Sequence, residues 1–145
     1  MRFTMVSLAI LVLCGCAAQD AVEDSIKDDF TYSDTVAALT QAGALVEEVG
    51  SQDWGPFSIQ ANYLTVDGHE LWVYEYPDTT TRESEASTIA MRGWSVNNTP
   101  VEWLGNPHYW LKGRVIVLYL GDDAGVIKGV TSAVGPQLNL RKLDR

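Results

Sequence analysis

The chain has 145 residues, 46% of them hydrophobic, and carries 10 Lys and Arg against 19 Asp and Glu, a formal net charge of −9 at pH 7. That length and apolar content suit a single domain with an ordinary hydrophobic core. The acidic balance repels phosphates, both of nucleic acid and of anionic lipid head groups, which disfavours nucleic-acid binding. The only two cysteines, Cys14 and Cys16, stand near the start and leave none for disulfides in the rest of the chain.

In chain order, Arg2 precedes an uncharged apolar run over residues 3–13. This is the pattern of a secretory signal peptide, and it is too short for a bilayer span, which takes about 20 apolar residues. The run closes on Leu13-Cys14-Gly15-Cys16. Residues 17–32 then set Asp20, Glu23, Asp24, Asp28 and Asp29 against a lone Lys27 and read as an acidic tether, roughly 20 to 25 Å long as a flexible coil.

Ser33-Asp34-Thr35 offers a helix start, and Val36, Leu39, Ala42, Gly43, Val46 and Val49 recur at spacings of three and four. The pattern predicts one amphipathic helix to Gly50, with Gly43 on its apolar side for close backbone approach. Segments 62–66 and 69–76 flank Asp67-Gly68, a strong hairpin signal, and pair Tyr63 with Trp72 and Leu64 with Leu71. One face of the hairpin then carries Leu64, Val66, Leu71 and Val73, and the other Tyr63, Trp72, Tyr74 and Tyr76.

Thr80-Thr81-Arg82-Glu83 has capping-box spacing and predicts a short second helix to about Met91, lying on the sheet. A polar loop around Asn97-Asn98 follows. Lys112-Gly113 marks a second tight turn into Arg114-Val115-Ile116-Val117-Leu118-Tyr119-Leu120, apolar at every position after Arg114 and so expected in the sheet interior. Asp122-Asp123 caps a third helix that Gly135-Pro136 stops. The organisation is a signal segment over residues 1–15, a tether over 16–32, one domain over 33–138 and a cationic tail over 139–145. The fold class is α+β: four or five mainly antiparallel strands built from two hairpins, with about three helices packed on them, largely on one face.

The candidate site is aromatic. Tyr63, Trp72, Tyr74 and Tyr76 share a face, and His108 and Trp110 follow in the second hairpin. Stacked rings with polar tips suit a platform for a glycan or an extended peptide, and the same rings equally serve to cover a sheet. His108 with nearby carboxylates is the alternative centre, for a small hydrolase or metal-dependent enzyme. However, the chain has only two histidines, His69 and His108, and no spacing that specifies a metal site. Glu75 falls on the aliphatic side of its strand, where burial would raise its pKa and suit it to acid or base chemistry. A pairing of Glu75 with Glu102 has no support in their spacing. With no Gly-x-Ser-x-Gly, no P-loop and no dinucleotide fingerprint, no cofactor and no metal are expected, and a non-catalytic binding domain is favoured over an enzyme.

Leu13-Cys14-Gly15-Cys16 resembles a bacterial lipobox: a large aliphatic residue three positions before the modified cysteine and a small one directly before it. The resemblance implies a mature chain that begins at Cys16, with a diacylglycerol on its thiol and often a fatty acyl chain such as palmitate on its amine. It also implies a domain held in the bacterial cell envelope outside the cytoplasm. Two or three chains on one cysteine make release negligible, whereas one alone binds marginally. Pro56-Phe57-Ser58, Val73-Tyr74-Glu75-Tyr76-Pro77, Pro107-His108-Tyr109 and Val117-Leu118-Tyr119 resemble small uncharacterised bacterial lipoproteins, and this resemblance brings no activity or site residue with it.

Overall fold

The computed structural model describes residues 29–142. The expected signal run, Cys16 and most of the tether lie outside the described residues, as do residues 143–145. The order of elements is helix α1 (Tyr32–Gln41), strands β1 (Val46–Gln52), β2 (Ala61–Val66) and β3 (His69–Glu75), helix α2 (Thr79–Ala86), the two-residue strands β4 (Ser95–Val96) and β5 (Thr99–Pro100), strands β6 (Pro107–Lys112) and β7 (Val115–Leu120), and helix α3 (Ala124–Val134). Single 3₁₀ turns stand at Met91–Gly93 and Leu140–Lys142.

The five long strands form one antiparallel sheet in the order β1-β2-β3-β7-β6, and β4 and β5 form a separate small hairpin. The expected α+β class is what the structure shows. The first hairpin pairs as its turn dictates, Tyr63 with Trp72 and Leu64 with Leu71. Strand β7 lies between β3 and β6, buried along its length except at its last residue. The second turn sits one residue later than the sequence suggests. Lys112 pairs with Val115, so Gly113 and Arg114 are the turn residues, with Gly113 at φ +49.

Because side chains alternate along a strand, a sheet buried on both faces carries two cores. On the first face, α1 and α3 cover Leu64, Val66, Leu71, Val73, Trp110 and Val117. On the second, Trp72, Tyr74, Tyr76, Tyr109, Ile116 and Leu118 lie beneath α2 and the loops of residues 54–59 and 89–103. The helices are therefore divided between the faces. Helix α2 lies on the sheet as expected, with Arg82 turned inward so that its Nε donates to the Gly113 carbonyl (2.9 Å).

The expected helix to Gly50 is the main correction. It ends at Gln41, and residues 46–52 form β1. Gly43, at φ +91, is the cause: a left-handed residue cannot continue an α-helix. Its N–H and that of Ala44 return to the Thr40 and Leu39 carbonyls and close the last turn. Gly43 is exposed, and a Cβ there would meet nothing within 4 Å, so it is a stop signal and not a packing contact. Beyond it, Val46 and Val49 flank two glutamates at a spacing that fits a helix and an edge strand alike. Helix α2 also ends early, at Ala86, and Asn97-Asn98 is a two-residue turn between β4 and β5, with both residues at positive φ.

The domain's contacts begin before its helix. The Phe30 carbonyl accepts the Arg114 N–H (2.9 Å), and the Phe30 backbone lies against Gly113. At the other end of the chain, the Leu138 N–H donates to the Tyr109 carbonyl and Gln137 bridges Trp110, so residues 137–138 cover the outer edge of β6.

Each helix starts on a carboxylate. Asp34 forms a capping box with Thr31, Asp78 accepts the Thr81 N–H, and Asp123 accepts the Val126 N–H. These bonds hold all three carboxyls below their usual pKa. A carboxyl whose pKa is lowered by folding adds stability above its unfolded value, near 4, and loses it as the pH falls through the folded one. Urea titrations followed by helical circular dichroism should therefore give a midpoint that is level above about pH 5 and falls below pH 4. Asp123→Asn keeps a cap without the charge and should flatten that fall, whereas an unchanged slope would remove Asp123 from the account.

Candidate functional site

The four aromatic residues of the first hairpin do share a face, and the structure shows what lies over it. Tyr74 is 0% exposed, Tyr76 1% and Trp72 6%. The rings stack in a line: Tyr63 on Trp72 (centroids 4.5 Å apart, planes 20° apart), and Trp72 on Trp54 (4.0 Å, 15°), with Trp103 tilted against Trp54 at 5.8 Å. Phe57 meets Tyr74 edge-on at 4.7 Å. Such pairs contribute about 0.5 to 1.5 kcal/mol each beyond the area they bury.

The cover is fastened by the polar tips of rings beneath it and within it. Tyr74 Oη donates to the Trp54 carbonyl (3.0 Å), and the Gly93 carbonyl accepts from both Tyr109 Oη (3.0 Å) and Trp103 Nε1 (2.7 Å). Glu85 on α2 accepts from the Ser58 N–H (3.1 Å), the Ser58 hydroxyl (2.7 Å) and the Asn97 amide (3.3 Å), binding loop, helix and small hairpin together. Burial pushes the phenol pKa values of Tyr74, Tyr76 and Tyr109 above their usual range, because the charged form would be poorly solvated there.

Of the four hairpin rings, only Tyr63 reaches the surface appreciably. Its hydroxyl donates to Glu70 Oε1 (2.9 Å), which raises its pKa. It pairs with Gly50 across a bulge in β1, and a hollow of about 120 Å³ lined by Val49, Gly50, Ser51, Gln52 and Tyr63 opens beside it.

His108 and Trp110 belong to the opposite face. Trp110 is wholly buried, its Nε1 donating to Thr131 Oγ1 on α3 (3.1 Å). The six candidate binding residues are thus not one surface. His108 is met by residues from beyond both ends of α3: its Nδ1 is 2.9 Å from Gln137 Oε1, and its Nε2 is 3.9 Å from Asp122 Oδ1, too long for a hydrogen bond. Asp122 accepts instead from the Asn106 amide (2.9 and 3.0 Å), and Asp123 caps the helix, with His69 Nε2 3.9 Å away. Both carboxylates are thus occupied by amide donors. Among the described residues, no group of three or more His, Cys, Asp or Glu could hold a metal ion.

Glu75 lies on the aliphatic side, as alternation requires. It forms an ion pair with Arg114 and accepts the Tyr32 N–H at the start of α1 (3.4 Å). This pair borders an open groove of about 620 Å³ that Ser51, Asn62 and Tyr76 also line. Glu102 is exposed in the loop held to Gly93 by Trp103, and does not pair with Glu75.

The reading of single strands could not anticipate the cover over the rings, because residues 89–103 have no strong period of their own. Two features escaped it. The Tyr63 end of the stack is left open by Gly50, and the cover itself turns Met91, Trp94 and Leu104 outward. No helix among the described residues is long and apolar enough to cross a membrane. No family model matches the chain, and neither does any curated protein or any solved structure.

Tyr76 Oη is buried and finds no hydrogen-bond partner among the described residues. A buried hydroxyl without a partner carries its desolvation penalty uncompensated, about 1 to 3 kcal/mol. Tyr76→Phe should therefore leave the thermal midpoint unchanged or raise it, and a clear fall would reveal a bond to this hydroxyl.

Proposed function

We propose that this chain is a lipid-anchored protein of the bacterial cell envelope whose domain acts by binding another envelope macromolecule, without catalysis. The anchor reading rests on Leu13-Cys14-Gly15-Cys16 behind an apolar run, with an acidic tether after it. The observation that carries the binding reading is the meeting of a partly exposed ring with the free edge of a strand. Among the described residues, strand β1 pairs with β2 alone, and it is solvent-exposed at every residue after Val46. Tyr63 stands beside its bulge on a rigid stack of tryptophans.

An extended segment of a partner protein suits this edge best. Its backbone would add to β1 as a further strand, and one of its side chains would lie on Tyr63. Glu47, Glu48 and Glu70 are exposed around the same strands and favour a segment carrying Lys or Arg. A glycan stacked on Tyr63 is the competing partner.

Metabolic labelling with an alkyne fatty acid tests the anchor. Label should be lost in Cys16→Ser and kept in Cys14→Ser, and label retained in Cys16→Ser would overturn the assignment of that residue. For binding, tryptophan emission should shift when an envelope extract is added. The shift should vanish in Tyr63→Ala, with circular dichroism checking that the domain stays folded once the ring leaves Trp72. Protease treatment of the extract should abolish the shift for a protein partner and spare it for a glycan. No shift with either extract would end the reading.

A further inference from the structure

The sheet face covered by α1 and α3 turns polar at one end. Along β2, Val66 and Leu64 are buried in that core and Asn62 precedes them; along β3, Leu71 and Val73 are buried there and Glu75 follows. Ser51 pairs with Asn62, and Asn62 with Val73, so Ser51, Asn62 and Glu75 stand on the same face. With Gln60, Pro77 and Arg114 they line the open groove of about 620 Å³. Polar side chains are usual where a sheet face meets water. What differs here is the state of the ion pair in the groove.

Glu75 and Arg114 meet by one end each, Arg114 Nη2 donating to Glu75 Oε1. Their other ends are weakly engaged. Glu75 Oε2 accepts the Tyr32 N–H at 3.4 Å, and Arg114 Nη1 reaches the Pro77 carbonyl at 3.4 Å, both beyond the usual range of about 2.7 to 3.2 Å. Arg114 Nε is buried and has no hydrogen-bond partner among the described residues. A two-pronged Arg–carboxylate pair would satisfy both ends. This one leaves an acceptor and a donor at the groove, on side chains 27% and 28% exposed. Asn62 supplies a third point. Its Oδ1 accepts from the Ser51 hydroxyl (2.8 Å), which orients the carboxamide and leaves Nδ2 to donate. Asn62 lies one strand across from Glu75 and two residues along, about 8 Å between backbones.

We propose that this groove binds a free α-amino acid whose side chain ends in a carboxamide. The ammonium sits on Glu75 Oε2, the carboxylate on Arg114 Nη1, and the side-chain carbonyl accepts from Asn62 Nδ2. The ligand's two charges match the two ends that the ion pair leaves open, which neither a lone carboxylate nor a lone amine can do. A neutral side-chain end is favoured over an acidic one because the chain already carries a net charge of −9. The site lies on the face of the sheet opposite the Tyr63 stack, so it is separate from the strand-edge reading.

Titration of the full chain with L-glutamine and with D-glutamine, followed by NMR of the backbone amides, tests the proposal. At millimolar concentration at least one enantiomer should move the signals of Asn62, Glu75 and Arg114 to saturation, and acetate or methylamine should bind at least tenfold more weakly. Arg114→Lys keeps the charge and loses the planar fork, and should weaken glutamine binding at least tenfold. Because that change also alters the pair with Glu75, Asn62→Ala provides a variant outside the pair. It should weaken glutamine severalfold and leave glycine, which has no side chain to reach Asn62, binding as before, with circular dichroism unchanged. No saturable shift with either enantiomer, acetate binding as tightly as glutamine, or equal losses for glutamine and glycine in Asn62→Ala overturns the proposal. Tyr63→Ala, which reports on the strand edge, should leave this titration unchanged, so either reading can fail without the other.

Discussion

Strand β7 sets the terms for the rest of the molecule. Val115 to Tyr119 are all buried, and alternation sends their side chains to both faces of the sheet, so neither face can be left to water. Each of these apolar side chains contributes about 1.5 to 3 kcal/mol only if something covers it. Two helices cover one face. The other has only the eight-residue α2 and two irregular segments, which bring too little regular surface to close a core with aliphatic side chains. Large rings fill that gap, and their hydroxyl and indole groups hold the irregular backbone above them in place.

This constraint explains why the most conspicuous sequence feature became internal. Tyr74 and Tyr76 alternate with Val73 and Glu75 at the end of β3 and just past it, and nothing in that alternation distinguishes a ring awaiting a ligand from one awaiting its own chain. The Trp54 and Gly93 carbonyls, offered by loops without period, decide the matter. The rings that could meet a partner are those the cover does not reach, Tyr63 at one end and Trp94 on the outside.

Much of the fold was legible where local chemistry is strong. Asp67-Gly68 set the first hairpin and its register, the unbroken apolar run of β7 set its place inside the sheet, and Asp123 and Gly135 bounded α3. Legibility failed where one pattern serves two structures. Val46 and Val49 are three apart, as on a helix, yet both are β-branched and follow a glycine with positive φ, so the chain turned and became β1. The split of His108 from the tyrosines was open to derivation from the second turn, since register alone sends His108 and Trp110 to the face opposite Tyr109. The groups around His108 were not, because Gln137 and Asp122 reach it from opposite ends of α3.

The two borders of the sheet differ in a way that bears on assembly. On β6 the backbone of residues 137–138 already occupies part of the place a neighbouring strand would take, whereas no other described strand pairs with the outer edge of β1. Growth of a continuous intermolecular sheet requires every subunit to be both donor and receiver of a border. A molecule with one border closed can complete a pair and then has nothing left to extend. At high local concentration, that asymmetry works as a stop against polymerisation.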